Sequence, residues 1–288
     1  MSLGLGQPYK APMTQQGTMR DFIKMHGLSN DFIVFDCRQA PLRLEDAQVR
    51  ALADRKTGIG CDQLITLLPD IKNDTFMRIQ NADGEEVDAC GNATRCVGAL
   101  LLAETGAGEA RVNTNAGVLV CTPTDDPNVI SVDMGTPQLD WQAIPVARET
   151  DTVTATYSHA GHVGPGLVNV GNPHAVFFVE DAEAVDVARI GPKIETDTFF
   201  PERTNVEFAS LIEPGLIRMR VWERGVGITR ACGTGACATM VAASRRGLVE
   251  RAATIRLDGG DLQLHWDDND HIIMTGPVAT SFHGQVAL

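Results

Sequence analysis

The 288-residue sequence is short of positive charge and has no long apolar run, and each shortage excludes a class of function. Its 24 Lys and Arg residues are outnumbered by 37 Asp and Glu residues, which gives a net charge of −13. That balance argues against nucleic acid or an anionic membrane as a partner. No apolar segment is long enough to span a bilayer. The N-terminus also lacks a charged segment followed by an apolar stretch, so we expect no signal peptide.

The seven cysteines match neither a disulfide framework nor a common metal or redox motif. An odd number without an even framework fits a reducing compartment, so a cytoplasmic location is expected. The Cys-x-x-Cys motif of a redox couple is absent, and the spacings Cys90–Cys96 and Cys232–Cys237 differ from those of zinc sites. No motif for pyridoxal phosphate or a nucleotide is present. The sequence therefore predicts no metal and no cofactor.

Two short stretches of the chain echo each other: residues 81–96 and residues 223–237. Both contain Ala-Cys-Gly followed by a run with helical character, which places Cys90 and Cys232 at helix N-termini. There the unpaired N–H groups and the positive end of the helix dipole favour a thiolate. Two such cysteines about half a chain apart predict a duplicated architecture with one reactive thiol in each half.

The other patterns agree with two similar halves. Each half reads as many short strands plus one helix that is apolar nearly all round, at 91–105 and at 233–246. A sheet wrapped around such a helix would bury it on all sides, which predicts an α+β fold. The polar stretch 137–151 indicates a domain boundary near its start. Residues 1–18 are polar and are expected to form a disordered leader.

The alternation of side chains along a strand predicts that one carboxylate faces the protein interior. Apolar side chains alternate along the predicted strand 216–223, and Glu223 continues their face. Asn81 continues the apolar face of the predicted strand 75–80 in the same way. Carboxylates are seldom buried without a partner, so an inward Glu223 predicts a functional contact. The competing interpretation places Glu223 beyond the strand end, in solvent.

Cysteines at helix N-termini suit several kinds of chemistry. A single activated cysteine would be a nucleophile, as in a protease with His and Asn or Asp elsewhere. Two thiols on opposite faces of one carbon would act as base and acid, one removing a proton and the other delivering one. In the alternative interpretation, the cysteines have no chemical role and are small residues of the core. This interpretation suits Cys37, Cys61, Cys96, Cys121 and Cys237, and it suits Cys90 and Cys232 poorly.

From Met19 onward the chain resembles the diaminopimelate epimerase family, which consists of cofactor-independent enzymes of lysine and cell-wall biosynthesis. The resemblance is highly specific because many motifs occur in order. These motifs are Met25-His-Gly-Leu-Ser-Asn-Asp-Phe32, Thr57-Gly-Ile-Gly-Cys-Asp-Gln63, Asn81-Ala-Asp-Gly84, Cys90-Gly-Asn92, Gly171-Asn-Pro-His174, Arg203-Thr-Asn205, Glu223-Arg-Gly225 and Ala231-Cys-Gly-Thr-Gly235.

The resemblance implies a fold and an activity. The fold is two similar domains, each a β-barrel-like sheet around a central helix, with the active site in the cleft between them. It divides the chain into residues 19–136 and 137–278, with 279–288 returning to the first domain. The activity is interconversion of L,L-diaminopimelate and meso-diaminopimelate by proton transfer between two cysteines and the α-carbon.

The resemblance also implies roles for individual residues. Cys90 and Cys232 are the two acid/base groups, and His174 and Glu223 tune their protonation. For the L,L substrate, the first-domain thiol is the proton donor and the second-domain thiolate is the acceptor. The backbone N–H groups of Gly91, Asn92, Gly233 and Thr234 hold the reacting carboxylate. The other substrate-binding residues are Asn30, Gln63, Asn81, Asn172, Asn205, Glu223 and Arg224.

Three departures from the family pattern and three other functions stay open. Ser29 and Ala93 each stand where the family commonly has glycine, and Phe282 stands where some members have a tyrosine at the dimer contact. A homodimer is therefore an open prediction. The alternatives are a proline or hydroxyproline racemase of the same fold, a related isomerase that uses a carboxylate, and a catalytically silent binding protein.

Overall fold

The structure, a computed structural model, describes residues 18–40 and 42–288. Of the predicted leader, residues 1–17 lie outside the described part. The order of elements is the same in the first and the second half of the chain.

The first half contains eight strands and two helices. The strands are β1 Met19–Gly27, β2 Asn30–Asp36, β3 Gln63–Leu68, β4 Thr75–Asn81, β5 Glu86–Val87, β6 Ala110–Thr114, β7 Gly117–Pro123 and β8 Val129–Asp133. Helix α1 (Asp46–Ala53) lies between β2 and β3, and helix α2 (Gly91–Thr105) lies between β5 and β6.

The second half repeats this arrangement with additions. A two-stranded hairpin comes first, formed by β9 Ser158–His159 and β10 His162–Val163. The remaining strands are β11 Gly166–Asn169, β12 Pro173–Phe178, β13 Asn205–Glu213, β14 Leu216–Glu223, β15 Gly227–Ile228, β16 Ala252–Leu257, β17 Gly260–Trp266, β18 Ile272–Pro277 and β19 Ala279–Ala287. Helix α3 (Val187–Glu195) precedes β13, and helix α4 (Gly233–Arg245) precedes β16.

The strand pairings of the two halves correspond one to one. In the first half, β2 pairs with β3 and β4 with β6 in parallel, while β1–β2, β3–β4, β6–β7 and β7–β8 are antiparallel. In the second half, β12–β13 and β14–β16 are parallel, while β11–β12, β13–β14, β16–β17 and β17–β18 are antiparallel. The predicted duplication is confirmed.

Equivalent residues of the two halves are separated by a constant number of sequence positions. Cys232 lies 142 positions after Cys90, and the same shift carries Asn30 to Asn172 and Asn81 to Glu223. It also carries the β2–β3 partners Phe32 and Gln63 onto His174 and Asn205, which are partners in the β12–β13 pair. Residues 142 positions apart therefore occupy equivalent places in the two halves. Where their side chains differ, the two halves have diverged.

Each central helix is enclosed by its own sheet. Helix α2 packs against β1, β6, β7 and β8, and helix α4 packs against β11, β12, β13, β16 and β17. Residues 91–98 and 235–243 are buried without interruption, which explains why both segments are apolar on all faces. A Cβ added at Gly98 would lie 2.6 Å from the Cys121 sulfur, so only glycine permits this approach of α2 to β7. The predicted α+β fold is confirmed.

Two pairings join the halves. Strand β8 of the first half is antiparallel to β18 of the second, and β19 pairs with β1 along nearly its whole length. The last strand therefore returns to the first half, as the resemblance implies. The boundary near residue 137 stays a prediction, although no strand lies between Asp133 and Ser158.

Among the elements that differ from the sequence-based expectation, three have a clear physical cause. The pattern predicts a helix over residues 182–190, but α3 runs from Val187 to Glu195, because the Asp186 side chain caps it by accepting from the Arg189 N–H. Strand β1 is missed because a buried lysine, Lys24, interrupts its alternation, and that ammonium group pairs with Asp31. Strand β6 is missed because only two of its five side chains are apolar. None of the helices in the described ranges combines the length and apolar character needed to cross a membrane.

Candidate active site

The first turns of α2 and α4 meet at one point between the two halves. Cys90 and Cys232 are the residues that precede these helices, both with extended backbone conformation. A Cβ built on Gly91 would lie 2.8 Å from Met274 Cε, and one built on Gly233 would lie 3.1 Å from Met274 Sδ. The Gly233 Cβ position is also 3.9 Å from the Gly91 Cα. Glycine at both positions thus lets the two helix N-termini converge on the Met274 side chain of β18.

The Cys90 thiol faces an amide of the β1–β2 turn. Its Sγ lies 3.7 Å from Asn30 Oδ1, which also accepts from Asn92 Nδ2 at 3.3 Å. Asn30 Nδ2 donates to Asp62 Oδ2 at 3.1 Å, and Asp62 in turn accepts from Arg55 at 2.7 Å. Because the nitrogen of Asn30 is engaged by Asp62, its oxygen is directed at Cys90.

The Cys232 thiol lies among donors of its own helix and a carboxylate. The Gly235 N–H donates to Sγ at 3.4 Å, and Thr234 Oγ1 lies 3.6 Å from it. The Glu223 carboxylate accepts from the Thr229 hydroxyl and lies close enough to Cys232 for its charge to act on that thiol. Glu223 is half-buried and directed inward, which confirms the parity prediction.

A buried His–Glu pair lies beside Cys232. His174 Nδ1 is 2.7 Å from Glu207 Oε1, and both side chains are fully excluded from solvent. His174 Nε2 is 2.8 Å from Asn172 Oδ1. A Cβ on Gly235 would lie 2.9 Å from Glu207 Oε1 and 3.2 Å from the Cys232 sulfur, so the carboxylate reaches the first turn of α4. With Nδ1 and Nε2 each engaged, the His174 ring has no nitrogen free for a hydrogen bond to Cys232.

The thiols do not have the lowered pKa that their helix termini predict. Burial, with a smaller contribution from the Glu223 carboxylate, raises the pKa of Cys90 to about 11, although the N–H groups of Ala93 and Asn92 oppose the rise. Burial also raises the pKa of Cys232 well above its ordinary value, as do Glu223 and Glu207. Desolvation and the carboxylates therefore outweigh the effect of the helix termini on both pKa values.

The raised pKa predicts how Cys90 reacts with an alkylating reagent. Cys90 is half-buried, whereas the other six cysteines, all within the described ranges, are buried. We expect its alkylation by iodoacetamide to accelerate about tenfold per pH unit from pH 7 to pH 10, because only the thiolate reacts and its fraction grows in that proportion below the pKa. Mass spectrometry of the Cys90 peptide over time measures this rate. A plateau reached below pH 8 would contradict the raised pKa.

Burial raises the pKa of Glu223 as well. The carboxyl lies near the Cys232 thiol, His174 and Glu207, and the hydrogen bond from the Thr229 hydroxyl only partly opposes the effect of burial. A carboxylate with a raised pKa holds a proton more readily than an exposed one. Glu223 is therefore suited to take a proton from Cys232.

Four further predicted residues are held by hydrogen bonds of their own. Gln63 Nε2 donates to Asn81 Oδ1 at 3.0 Å, and Gln63 Oε1 is buried without a partner in the described part of the chain. Asn205 is engaged by backbone, since it donates to Pro173 O at 2.9 Å and accepts from the Arg224 N–H at 2.9 Å. Asn205 is thereby placed to position the Arg224 segment. The Arg224 side chain is exposed and donates to the Glu202 carbonyl at 3.1 Å.

The departures from the family pattern leave the site geometry intact. Ser29 has a left-handed φ of 66°, next to Leu28 at 55°, in the two-residue turn that precedes Asn30. The equivalent of Ser29 in the second half is Gly171, with φ 90°. Serine thus takes a conformation that suits glycine better, and the turn is kept. Ala93 is fully buried in the first turn of α2 without distorting it.

The sequence-based reasoning missed Glu207 and Asp62. Glu207 lies two residues after Asn205 on β13, and therefore on the same inward face. The parity argument that found Glu223 would have found it. Asp62 immediately precedes Gln63, but its contact with Asn30 depends on the parallel β2–β3 pair. No local pattern indicates that pairing.

No group of three or more His, Cys, Asp and Glu side chains suited to a metal occurs among residues 18–40 and 42–288. Two cavities of about 580 and 730 Å³ lie near the β9–β10 hairpin of the second half. Neither is lined by any residue of the cysteine cleft, so neither takes part in the chemistry of that cleft.

Known proteins match the chain over nearly its whole length. The family model for diaminopimelate epimerase matches residues 22–139 and 166–281. A diaminopimelate epimerase from Rhodospirillum centenum is 53% identical over 271 residues, which cover 93% of each chain. One from Phenylobacterium zucineum is 55% identical over 271 residues, covering 93% of this chain and 98% of that one.

Solved structures at low identity share the fold. A predicted epimerase from Pseudomonas aeruginosa has a TM-score of 0.68 at 17% identity, covering 93% of this chain and 99% of that chain. A hydroxyproline epimerase from Agrobacterium vitis, solved with trans-4-hydroxy-L-proline bound, has a TM-score of 0.64 at 18% identity, covering 94% and 93%. The match to the family model and the relatives above 50% identity show that the chain belongs to the diaminopimelate epimerase family.

Proposed function

We propose that the protein interconverts L,L-diaminopimelate and meso-diaminopimelate by two-base proton transfer between Cys90, Cys232 and the α-carbon. The observation that carries the proposal is the convergence of two helix N-termini on Met274, each preceded by a cysteine. A carbon held at that point has one thiol on each side. Inversion of a stereocentre requires an acid and a base on opposite faces.

The proton path begins at Cys232. Its thiol gives a proton to the neighbouring Glu223 carboxylate and becomes a thiolate. The thiolate removes the α-proton of the L,L substrate from one face, and the Cys90 thiol donates its own proton to the opposite face. The cycle leaves Cys232 as a thiol, Cys90 as a thiolate and Glu223 protonated, so transfer of one proton from Glu223 to Cys90, through solvent, restores the start. In the reverse direction Cys90 is the base and Cys232 the acid.

The helix termini supply charge stabilisation for the intermediate. Removing the α-proton places negative charge on the substrate carboxylate, which becomes an enediolate. The N–H groups of Gly91, Asn92, Gly233 and Thr234 lie in the first turns of α2 and α4, where a helix leaves donors unpaired. We propose that they hold this carboxylate, since donors fixed before the reaction stabilise developing charge at no cost of reorganisation.

The distal part of diaminopimelate requires recognition of a second carboxylate and ammonium group. Arg224 directly follows Glu223 in the chain and is exposed, and its fork can grip a carboxylate through two hydrogen bonds. Asn30, Asn81 and Asn172 supply further polar groups, together with Gln63 and its unpartnered buried oxygen. A proline-type substrate would leave Arg224 without a role. We therefore prefer diaminopimelate to the substrate of the hydroxyproline epimerase that shares the fold.

The proposal places the protein in lysine and peptidoglycan precursor biosynthesis, with a cytoplasmic location. Partners other than diaminopimelate are not required by it. A homodimer stays a prediction: Phe282 on β19 is about half exposed and makes an edge-on contact with Phe22, with ring centroids 6.0 Å apart.

The proposed activity predicts racemisation without any added cofactor. We expect purified, reduced protein to convert L,L-diaminopimelate into a mixture with the meso isomer, because the acid, the base and the carboxylate donors all belong to the chain. Chiral chromatography of the reaction over time measures the conversion. Dialysis against a chelator and addition of pyridoxal phosphate should leave the rate unchanged; loss of activity on chelation, or dependence on pyridoxal phosphate, would refute the mechanism. Turnover of L-proline in place of diaminopimelate would move the substrate assignment to the alternative.

A further inference from the structure

The first central helix carries a buried cation that no carboxylate neutralises. Arg95 is fully excluded from solvent and is the largest of the fully buried side chains among the described residues. Its Nη2 donates to Asn92 Oδ1 at 2.8 Å, and its Nη1 lies 3.5 Å from Met274 Sδ. Nε has no partner, and no ion pair with Arg95 occurs within residues 18–40 and 42–288. The guanidinium is held by one amide oxygen and one thioether.

A charge in this situation is costly to the fold. Transfer of a guanidinium from water to the interior loses its hydration, and only a paired anion normally offsets that loss. Burial lowers the pKa of Arg95, and the groups that oppose this are the thiols of Cys96, Cys90, Cys237 and Cys121. Arginine nevertheless stays protonated in proteins. A replacement without charge would suit folding better, so the charge indicates another use.

The duplication shows that the fold does not need a cation here. The position equivalent to Arg95 in α4, 142 residues later, is Cys237, which is also fully buried. The shape of the first half has been adapted to the larger side chain. A Cβ on Gly27 would lie 3.2 Å from Arg95 Nη2, and one on Gly276 would lie 3.2 Å from Nε. Glycines in β1 and β18 thus make room for the guanidinium.

Arg95 is linked to the reacting thiol through two amides. It donates to the oxygen of Asn92, so the Asn92 nitrogen is turned toward Asn30 Oδ1, 3.3 Å away. That same oxygen faces the Cys90 thiol at 3.7 Å. In the other direction, only the Met274 side chain separates the guanidinium from the point where Gly91 and Gly233 converge.

The charged groups near the two thiols differ in sign. The Arg95 cation acts on Cys90, whereas the Glu207 carboxylate, paired with His174, and the Glu223 carboxylate act on Cys232; Glu223 also acts on Cys90. At the equivalent positions of the first half stand Ile65, Asn81 and Phe32, which carry no charge. A symmetric scaffold thus holds an unpaired cation beside the thiol that donates the proton to the L,L substrate.

We propose that Arg95 is a positioning residue for the epimerase reaction, which orients Asn92 and Asn30 toward Cys90 and stabilises the anions that form in the cleft. These anions are the Cys90 thiolate left after proton donation and the enediolate held at the helix N-termini. The inference rests on the proposed function. In keeping with this role, the Arg95 charge opposes the rise in the pKa of Cys90. The unpaired charge is kept for catalysis at the expense of the fold.

The test compares Arg95→Met with Arg95→Lys. Methionine fills much of the space without charge, and lysine keeps the charge without the planar fork. We expect Arg95→Met to lower kcat by about 10²-fold, as for loss of one preorganised donor to a developing anion. Its melting temperature should be equal to or above that of the parent, because an uncompensated buried charge has been removed. Arg95→Lys should recover a large part of kcat, which identifies the charge as the active property.

Alkylation separates this inference from the proposed function. At a fixed pH between 8 and 9, iodoacetamide should modify Cys90 more slowly in Arg95→Met than in the parent and at near-parental rate in Arg95→Lys, because the charge lowers the pKa of Cys90. This readout needs no substrate, so it stands even if the protein does not epimerise diaminopimelate. Arg245→Met is the matched control: Arg245 on α4 also has a buried nitrogen without a partner but lies away from the cleft, beside Thr152. That control should keep parental kcat and parental alkylation.

Two outcomes would overturn the inference. An Arg95→Met protein that is insoluble or melts at a lower temperature would assign Arg95 a structural role. Unchanged alkylation of Cys90 in Arg95→Met would show that the charge does not act on the thiol, whatever the effect on kcat.

Discussion

Replacing either cleft cysteine with alanine is expected to lower the rate of epimerisation by at least about 10³-fold, near the upper part of the range for a single acid/base group. Inversion needs a group on both faces of the α-carbon, and Cys90 and Cys232 precede the two helices that converge there. Neither neighbour can substitute, because Asn30 beside Cys90 does not ionise and Glu223 beside Cys232 would have to act across the missing sulfur. Chiral chromatography after prolonged incubation measures the residual rate.

The two variants should differ in which isomer still exchanges its α-hydrogen. The Cys90→Ala protein keeps Cys232, which is the base for the L,L isomer. We therefore expect slow exchange of the α-hydrogen of the L,L isomer with heavy water, without inversion. With Cys90 alone, the Cys232→Ala protein should exchange only the D-configured centre of the meso isomer. Cys37→Ala is the matched control, since Cys37 is buried in the separate core around α1 and should leave the rate unchanged. Near-normal epimerisation by either cleft variant would refute the two-base assignment.

Glu223→Gln is expected to separate thiol ionisation from turnover. The carboxylate raises the pKa of both cleft thiols, so its loss should lower both and accelerate alkylation of Cys90 at pH 8. The same change removes the group that accepts the proton of Cys232, so kcat should fall by about 10²-fold or more. Faster alkylation of Cys90 together with a lower kcat would identify Glu223 as a proton acceptor and not merely as a neighbouring charge.

A buried glutamate outside the cleft provides the control for Glu223→Gln. Glu195 on α3 accepts from Trp222 Nε1 at 2.6 Å and from the Gly225 N–H at 2.9 Å. Glu195→Gln should lower stability through these contacts and leave the alkylation rate of Cys90 unchanged. A rise in kcat for Glu223→Gln would instead mean that the carboxylate only suppresses ionisation of the thiols.

Much of the fold could be predicted from local patterns. Helix α2 begins and ends where its apolar run and Gly106 place it, with that glycine in the left-handed conformation. The sequence pattern also predicts strands over residues 63–68, 129–133 and 216–223, and β3, β8 and β14 have these bounds. These elements are set by alternation, by helical periodicity and by turn residues, all of which are local. Strand β1 could not be found this way, because its buried Lys24 is satisfied by Asp31 on the neighbouring strand.

The composition of the site was predictable, but its electrostatics were not. Asn30, Cys90 and Cys232 lie together as the motifs indicate, since the duplication alone brings equivalent residues to one cleft. The thiol pKa depends on burial and on Glu223 and Glu207, which are brought close by strand pairing. A helix terminus and inward-facing carboxylates can be read from the sequence, whereas the burial of the thiols and their distances to the carboxylates cannot. The expected lowering of the thiol pKa has the wrong sign for that reason.

The most direct test of the two-base mechanism is the fate of hydrogen during the first few per cent of reaction in heavy water. The parent protein is incubated with protiated L,L-diaminopimelate, and both isomers are separated and analysed by mass spectrometry. We expect the meso product to carry one deuterium at the inverted centre, delivered by the Cys90 thiol, and the remaining L,L isomer to carry none. Meso product that retains the original hydrogen would mean that one group carries the proton across both faces, and it would contradict the two-base mechanism.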